Sequence, residues 1–80
     1  MKILVAEDEQ AMSMALKAVM EHAGYEVDTA ANGAIAQGLA RENVYDAMVF
    51  DIMMPVKDGI TAIKELRQEG DRTPVIMLTA

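Results

Sequence analysis

The chain has 80 residues and a formal net charge of −6, with 13 Asp or Glu against 7 Lys or Arg. This length allows one domain, and 52% hydrophobic with 25% charged residues argues against disorder. The absence of cysteine excludes disulfides and Cys-ligated zinc or iron–sulfur sites. The acidic balance argues against nucleic-acid binding by this segment, because little positive charge is available to displace counterions from phosphates.

The first apolar run, residues 3–6, is ended by acidic residues and is typical of a strand buried on both faces. It is too short for a signal peptide or a membrane span, so we expect a cytoplasmic protein that does not enter a membrane. A helix follows, ended by Gly24 as a C-cap. Its apolar stripe consists of Met12, Leu16, Val19 and Ala23. Residues 25–29 alternate in polarity and predict a half-exposed edge strand.

Asn32-Gly33 is a turn signal that precedes a second helix. The stripe of that helix consists of Ile35, Ala36, Leu39 and Ala40. Residues 47–50 form the next buried strand, which Asp51 ends. A loop with Pro55 and Asp58-Gly59 leads to the third helix. The apolar residues of the third helix are Ile60, Ile63 and Leu66.

Gly70 ends the third helix, and residues 75–78 form a last apolar strand. Strands that alternate with helices predict an α/β fold with a parallel sheet, right-handed crossovers and helices on both faces. The expected element order is βαβαβαβ in a single unit, residues 1–80. Met12, Met48 and Met77 fall on apolar stripes, which indicates packing rather than metal binding.

Acidic and hydroxyl side chains follow three of the four predicted strands. Glu7 and Asp8 follow the first strand, Asp51 the third, and Thr79 the fourth. In an open parallel sheet, ligands bind beyond the carboxyl ends of the strands at the point where the strand order reverses. With the strands in the order 2-1-3-4, Asp8 and Asp51 would come to lie side by side.

Three clustered carboxylates repel one another and favour a bound cation. Their ligand atoms are all oxygens, which suits a hard divalent ion, and Mg²⁺ needs only one or two carboxylates together with phosphate oxygens. The alternative is that acids at strand ends are solvated loop residues or helix caps. That interpretation suits Glu9, at the positive N-terminus of the first helix.

A carboxylate beside Mg²⁺ can act as a nucleophile towards phosphorus and form an acyl phosphate. Such transfer depends on in-line positioning and on neutralisation of the phosphoryl oxygens. Thr79 could donate its hydroxyl to one of these oxygens, and the small side chain of Ala80 would leave room for the phosphoryl group.

Three stretches carry a resemblance to a known family: ILVAEDE (3–9), VFDIMMPVKDG (49–59) and TPVIMLTA (73–80). They resemble the receiver domain of two-component response regulators over the whole chain. The resemblance implies a flavodoxin-like doubly wound sheet. It is closest to the subclass whose output domain is a winged-helix transcription factor, so a DNA-binding domain is expected in the parent protein.

The resemblance also implies a role for each site residue. Asp51 is the expected phosphoacceptor, which takes its phosphoryl group from a sensor histidine kinase. Asp8 is the expected direct Mg²⁺ ligand, and Glu7 acts largely through water. Met53 matches the position that offers its backbone carbonyl to the metal, and Thr79 matches the switch hydroxyl.

Family members continue with another helix, a fifth strand that ends in a lysine, and a final helix. We therefore expect this chain to be the N-terminal part of a receiver domain, truncated after the fourth strand. Without the lysine, phosphotransfer is expected to be impaired. Val56-Lys57 also departs from the usual small or apolar pair at this point of the family pattern.

The same sequence disfavours three other functions and leaves one alternative. A phosphatase with an Asp nucleophile needs a second acid two residues later, where Met53 stands. A nucleotide-binding loop is disfavoured because three acids and no glycine follow the first strand. His22 as a phosphocarrier is less well supported than His22 as a favourable charge at a helix C-terminus. The remaining alternative is a self-associating fragment without phosphotransfer, a homo-oligomer through the edge strand 75–78.

Overall fold

The structure is a computed structural model that describes residues 1–79. It contains four strands and three helices in the predicted alternation, with strand bounds within one residue of those predicted. In chain order they are β1 (Lys2–Ala6), α1 (Gln10–His22), β2 (Glu26–Ala30), α2 (Gly33–Glu42), β3 (Ala47–Asp51), α3 (Gly59–Gln68) and β4 (Val75–Leu78). None of the helices in this part of the chain is long and apolar enough to cross a membrane. The predicted role of Ala80 lies outside the described residues.

The four strands form one parallel sheet in the order β2-β1-β3-β4, which confirms the predicted fold class. Val5 of β1 is paired with Thr29 of β2 on one side and with Val49 of β3 on the other. The strand order reverses between β1 and β3, so their carboxyl ends form the switch point of the sheet. β2 lies at an edge, as its alternating polarity predicted.

Alternate side chains of the two central strands enter separate cores on the two faces of the sheet. Leu4, Met48 and Phe50 are fully buried beneath α2 and α3. Ile3, Val5, Val27 and Val49 form the core on the other face, against Leu16 and Met20 of α1. Burial on both faces explains why β1 and β3 are continuous apolar runs in the sequence.

The helix ends follow local side-chain and backbone chemistry. Gly24 and Gly70 follow α1 and α3 with φ of 97° and 95°, a conformation that glycine adopts without steric cost. Asn32 and Asp58 cap the N-termini of α2 and α3, each accepting from the backbone N–H three residues later, at 2.9 and 2.7 Å. The turn signals in the sequence are therefore N-caps as well.

Some of the predicted stripes are less buried than their spacing indicated. Met12 and Val19 of α1 are 45% and 69% exposed, so the packing role predicted for Met12 is wrong, whereas Met48 is fully buried and Met77 half-buried. Ile35 and Ile60, in the first turns of α2 and α3, are also exposed. The small residues Ala36, Ala40 and Ala62 are buried instead, because these helices lie close to the sheet and to each other.

Replacing Gly33 by Ala should destabilise the fold. A Cβ at position 33 would lie 2.3 Å from the backbone oxygen of Lys57, which cannot yield without moving the chain. We expect a loss of about 2 kcal/mol or more in urea unfolding. The matched control is Gly38→Ala in the same helix, where a Cβ would meet nothing within 4 Å. That change should stabilise by about 0.5–1 kcal/mol, and equal effects of the two variants would contradict the packing described for Gly33.

Candidate metal and phosphoryl site

Three carboxylates converge at the switch point of the sheet. Glu7 and Asp8 directly follow β1, and Asp51 is the last residue of β3. Each offers one carboxylate oxygen such that the three atoms lie within 4.8 Å of one another. Asp8 and Asp51, 43 residues apart in the chain, are thus brought together by the pairing of β1 with β3, as the strand order predicted.

The backbone around the three acids is held by hydrogen bonds to neighbouring strands and loops. The Glu7 N–H donates to the Ala30 carbonyl at 3.0 Å, which extends the β1–β2 ladder by one residue. The Ile52 N–H donates to the Leu78 carbonyl at 3.1 Å and continues the ladder beyond Asp51. The main chains of Glu7 and Asp51 are therefore tied directly to the sheet.

The acids differ in their exposure and in their hydrogen bonds. Glu7 is buried, Asp51 is half-buried and Asp8 is exposed. A Glu7 oxygen accepts from the Glu9 N–H at 3.3 Å, and an Asp51 oxygen accepts from the Met53 N–H at 3.3 Å. Salt bridges within residues 1–79 reach other acids and none of these three. The cluster is therefore an excess of negative charge without a basic partner from this part of the chain.

Burial and neighbouring acids raise the pKa of Glu7 from 4.5 to about 7. Desolvation is the largest cause, followed by a hydrogen bond shared with Asp51, while the Glu9 N–H opposes the shift. A proton on Glu7 relieves the repulsion within the cluster near neutral pH. A divalent cation would relieve the same repulsion.

The donor set fits a hard divalent cation. Carboxylate oxygens suit Mg²⁺, which retains several waters and takes one or two carboxylates together with phosphate oxygens. The exposed Asp8 offers an open approach, whereas Glu7 is enclosed at the base of the cluster. The residues present therefore fit the cation that the sequence predicted.

Thr79 and Met53 border the acidic cluster on two sides. A cleft of about 380 Å³ is lined by Thr79 together with Glu7 and Asp51. A larger cleft of about 790 Å³ brings Met53 beside Asp8. Thr79 and Met53 thus line separate clefts that each include part of the acidic cluster, and the chemical roles of the five residues are predictions.

Two other predictions fall outside this cluster. Glu9 stands at the N-cap position of α1, but its side chain accepts no capping hydrogen bond, and its influence there is limited to its charge. His22 lies exposed in the last turn of α1, where a positive charge is favourable, in agreement with its predicted structural role.

One polar cluster near the site was missed by the sequence interpretation. Lys57, in the loop between β3 and α3, contacts Gln37 of α2 and Glu65 of α3. In the sequence, Lys57 is recognisable only as a departure from the family pattern. Its partners are 20 and 8 residues away, so no local spacing could have identified them.

The raised pKa of Glu7 makes the stability of the metal-free chain depend on pH. Because the folded pKa lies above the ordinary value, Glu7 favours folding at low pH, and this contribution is lost as pH rises through about 7. Glu7→Gln keeps the hydrogen-bonding capacity without the charge and should be more stable than the wild type by about 2 kcal/mol at about pH 8, but not at about pH 5. Urea unfolding with a chelator present measures this difference.

Glu21→Gln, an exposed acid on the outer face of α1, is the control and should leave the pH dependence of the wild type unchanged. An equal gain of Glu7→Gln at both pH values would contradict the assigned pKa shift.

Comparison with known proteins identifies relatives along the whole chain. A family model described as the response regulator receiver domain matches residues 3–80. The transcriptional regulatory protein DltR of Streptococcus agalactiae serotype III (strain NEM316) is 38% identical over 80 residues, which are 100% of this chain and 36% of DltR. The alkaline phosphatase synthesis transcriptional regulatory protein PhoP of Bacillus subtilis (strain 168) is 42% identical over 79 residues, 99% of this chain and 33% of PhoP. The chain spans about a third of the length of these relatives.

Solved structures show the same similarity in three dimensions. The receiver domain of a Francisella response regulator superposes with a TM-score of 0.96 at 40% identity, covering 99% of this chain and 65% of that one. The response regulator TrrA of Thermotoga maritima, solved in complex with Mg²⁺-BeF, gives a TM-score of 0.93 at 37% identity, covering 99% of this chain and 69% of that one. The strand order, the family match and these relatives agree, and the chain belongs to the response regulator receiver domain family.

Proposed function

We propose that this chain is a phosphoacceptor module of two-component signalling, in which Asp51 receives a phosphoryl group from a histidine kinase in the presence of Mg²⁺. The observation that carries the proposal is the convergence of Glu7, Asp8 and Asp51 within 4.8 Å at the switch point of a receiver fold. The complex of TrrA with Mg²⁺-BeF supports the same ligand chemistry in a relative.

Transfer to Asp51 forms one P–O bond and breaks the P–N bond of the kinase phosphohistidine. A carboxylate oxygen of Asp51 attacks phosphorus in line with the departing nitrogen of the kinase phosphohistidine, and an acyl phosphate results. Bound Mg²⁺ supplies neutralisation of the phosphoryl oxygens. Thr79, on the wall of the same cleft, donates its hydroxyl to one of those oxygens.

The remaining residues are assigned to the metal. Asp8, the exposed acid, would be the direct ligand, and the buried Glu7 would act through water. Met53 would offer its backbone carbonyl, while its N–H donates to the Asp51 carboxylate at 3.3 Å.

The relatives indicate the wider context. Both DltR and PhoP are named transcriptional regulatory proteins and are much longer than the matched segment. We propose that residues 1–80 supply the N-terminal part of the receiver domain of such a cytoplasmic regulator. Its kinase is the signalling input, DNA binding belongs to another domain, and the receiver acts as a signalling module rather than as an enzyme in the ordinary sense.

A phosphoryl mimic tests the proposal directly on the 80-residue chain. Addition of Mg²⁺ with beryllofluoride should shift the NMR amide signals of residues 51–53 and Thr79, and Asp51→Asn should abolish the shifts because the attacking carboxylate is lost. We expect weak binding, since within residues 1–79 no cation is paired with Asp51.

The control is Asp46→Asn, an exposed acid that precedes β3 at the amino-terminal ends of the strands, opposite the acidic cluster, and should leave the response intact. An unchanged wild-type spectrum, or an equal response in Asp51→Asn, would contradict phosphoacceptor function.

A second candidate function is self-association through β4 (Val75–Leu78). This strand lies at the edge of the sheet, Ile76 is 63% exposed, and Val75 and Met77 line an adjoining apolar cleft with Ile60 and Ile63 of α3. An apolar edge strand is a template for pairing with another chain. A homo-oligomer of this kind is compatible with phosphotransfer or independent of it.

Light scattering distinguishes the self-associating chain from a monomer. The 80-residue chain should form a dimer or a larger oligomer at micromolar concentration, and Ile76→Lys should shift it towards monomer because a charge at the edge opposes pairing. Val44→Lys, at an exposed apolar position before β3, is the matched control and should have no such effect. A wild-type chain that remains a folded monomer would eliminate this candidate.

A further inference from the structure

Lys57 joins the loop that follows β3 to two helices through a polar cluster. Its ammonium group donates to Gln37 Oε1 at 2.7 Å and to Glu65 Oε1 at 2.6 Å. Gln37 Nε2 donates in turn to the Ala62 carbonyl at 3.1 Å and to Glu65 Oε1 at 2.8 Å. We call Gln37, Lys57 and Glu65 the Lys57 clamp.

The clamp is partly shielded from water, so its polar groups need one another as hydrogen-bond partners. Gln37 is only 2% exposed, even though its side chain ends in a polar amide group. Lys57, and after it Gln37, lowers the pKa of Glu65, so Glu65 stays ionised and accepts both donors. Removing the ammonium group would leave Gln37 Oε1 without its donor in an enclosed position, and such a loss is costly.

The backbone of Lys57 is anchored as well. The Gly33 N–H donates to the Lys57 carbonyl at 3.0 Å, at a contact so close that a side chain at position 33 would collide with it. The Lys57 N–H donates to the Pro55 carbonyl at 2.7 Å and closes a three-residue turn around Val56. Lys57 is therefore held by its side chain, its N–H and its carbonyl.

That turn places Val56 in a strained conformation. Val56 has a φ of 69°, a value that β-branched residues rarely adopt, and a γ-turn with positive φ is itself strained. Its side chain is 82% exposed, so packing of Val56 does not compensate for the strain. Strained residues persist where the surrounding structure determines their conformation. Next to Val56, the side-chain and backbone hydrogen bonds of Lys57 restrain the chain.

The strained residue Val56 lies five positions after Asp51 along one short loop. At the near end of the loop, Met53 N–H contacts an Asp51 oxygen, and at the far end the Gly59 N–H donates to the Ile52 carbonyl at 2.9 Å. Between these points two contacts join the loop to the helices: the buried side chain of Met54, which packs in the core with residues of α2 and α3, and the bonds of Lys57. A relaxed turn at Val56 would weaken the second contact and loosen the Met53 peptide relative to Asp51.

We propose that Lys57 is a positioning residue for the Mg²⁺ site, which helps to hold the loop 52–58 in its strained form and thereby fixes the Met53 peptide relative to Asp51. This inference rests on the proposed function. Lys57 acts through the loop and through Gln37 and Glu65, and it does not itself contact the acidic cluster.

The test compares Lys57→Met with Arg41→Met in the 80-residue chain. Arg41 pairs with Glu69 at 2.8 and 2.6 Å. These residues lie four positions after Gln37 and Glu65, about one helical turn further along the chain. Arg41 is the matched control because its bonds join α2 to α3 without involving the loop. Mg²⁺ titration, followed by NMR, measures affinity, and amide hydrogen exchange measures protection of the Gly33 and residue 57 N–H groups without metal.

Lys57→Met should weaken Mg²⁺ binding about tenfold, a size typical of residues that orient metal ligands, and should accelerate exchange at both amides. Arg41→Met should do neither. Adding Val56→Gly to Lys57→Met should restore part of the Mg²⁺ affinity, because glycine adopts positive φ without strain.

The outcomes separate this inference from the proposed function. Wild-type chain that binds no Mg²⁺ would overturn both. Normal Mg²⁺ binding by Lys57→Met, or unchanged exchange of its two amides, would overturn the role of Lys57 while leaving phosphoacceptor function intact. Equal losses in Lys57→Met and Arg41→Met would show a general effect of α2–α3 packing and would also overturn it.

Discussion

Repulsion among the carboxylates of Glu7, Asp8 and Asp51 is the constraint on which the site depends. In an unfolded chain Asp51 is 43 residues from Asp8 and interacts weakly with Glu7 and Asp8, but the parallel pairing of β1 with β3 brings one carboxylate oxygen of each residue within 4.8 Å of the others. Backbone hydrogen bonding and two apolar cores together hold this unfavourable arrangement in place. The fold thus stabilises a concentration of negative charge that a proton or a cation can relieve.

The two faces of the sheet serve this arrangement differently. On the face beneath α2 and α3, small buried residues such as Ala36 and Ala62 let the helices approach closely, and polar contacts between the helices reach the loop after β3. On the opposite face α1 packs through Leu16 and Met20 while much of its apolar surface is exposed. The loop next to the acids is therefore secured from the α2–α3 face.

Much of the fold and of the site could be predicted from the sequence because the relevant signals are local. Continuous apolar runs indicate strands buried on both faces. Once the strand ends are known, the residues that follow them, such as Asp8 and Asp51, are predicted to meet at the switch point of the sheet. Exposure of Met12 and Ile60 could not be predicted, since periodicity identifies a helix and not how far its neighbours cover it. The Lys57 clamp depends on partners from two other elements and has no local signature.

The contact of α3 with the end of β3 has a mechanical consequence. Gly59 begins α3 so close to the Asp51 carbonyl that a Cβ there would lie 2.1 Å from the oxygen. Closely packed groups of this kind cannot absorb a displacement by compression. A shift of the Asp51 peptide would therefore have to be accommodated by the first turn of α3, which leaves no free space beside that carbonyl.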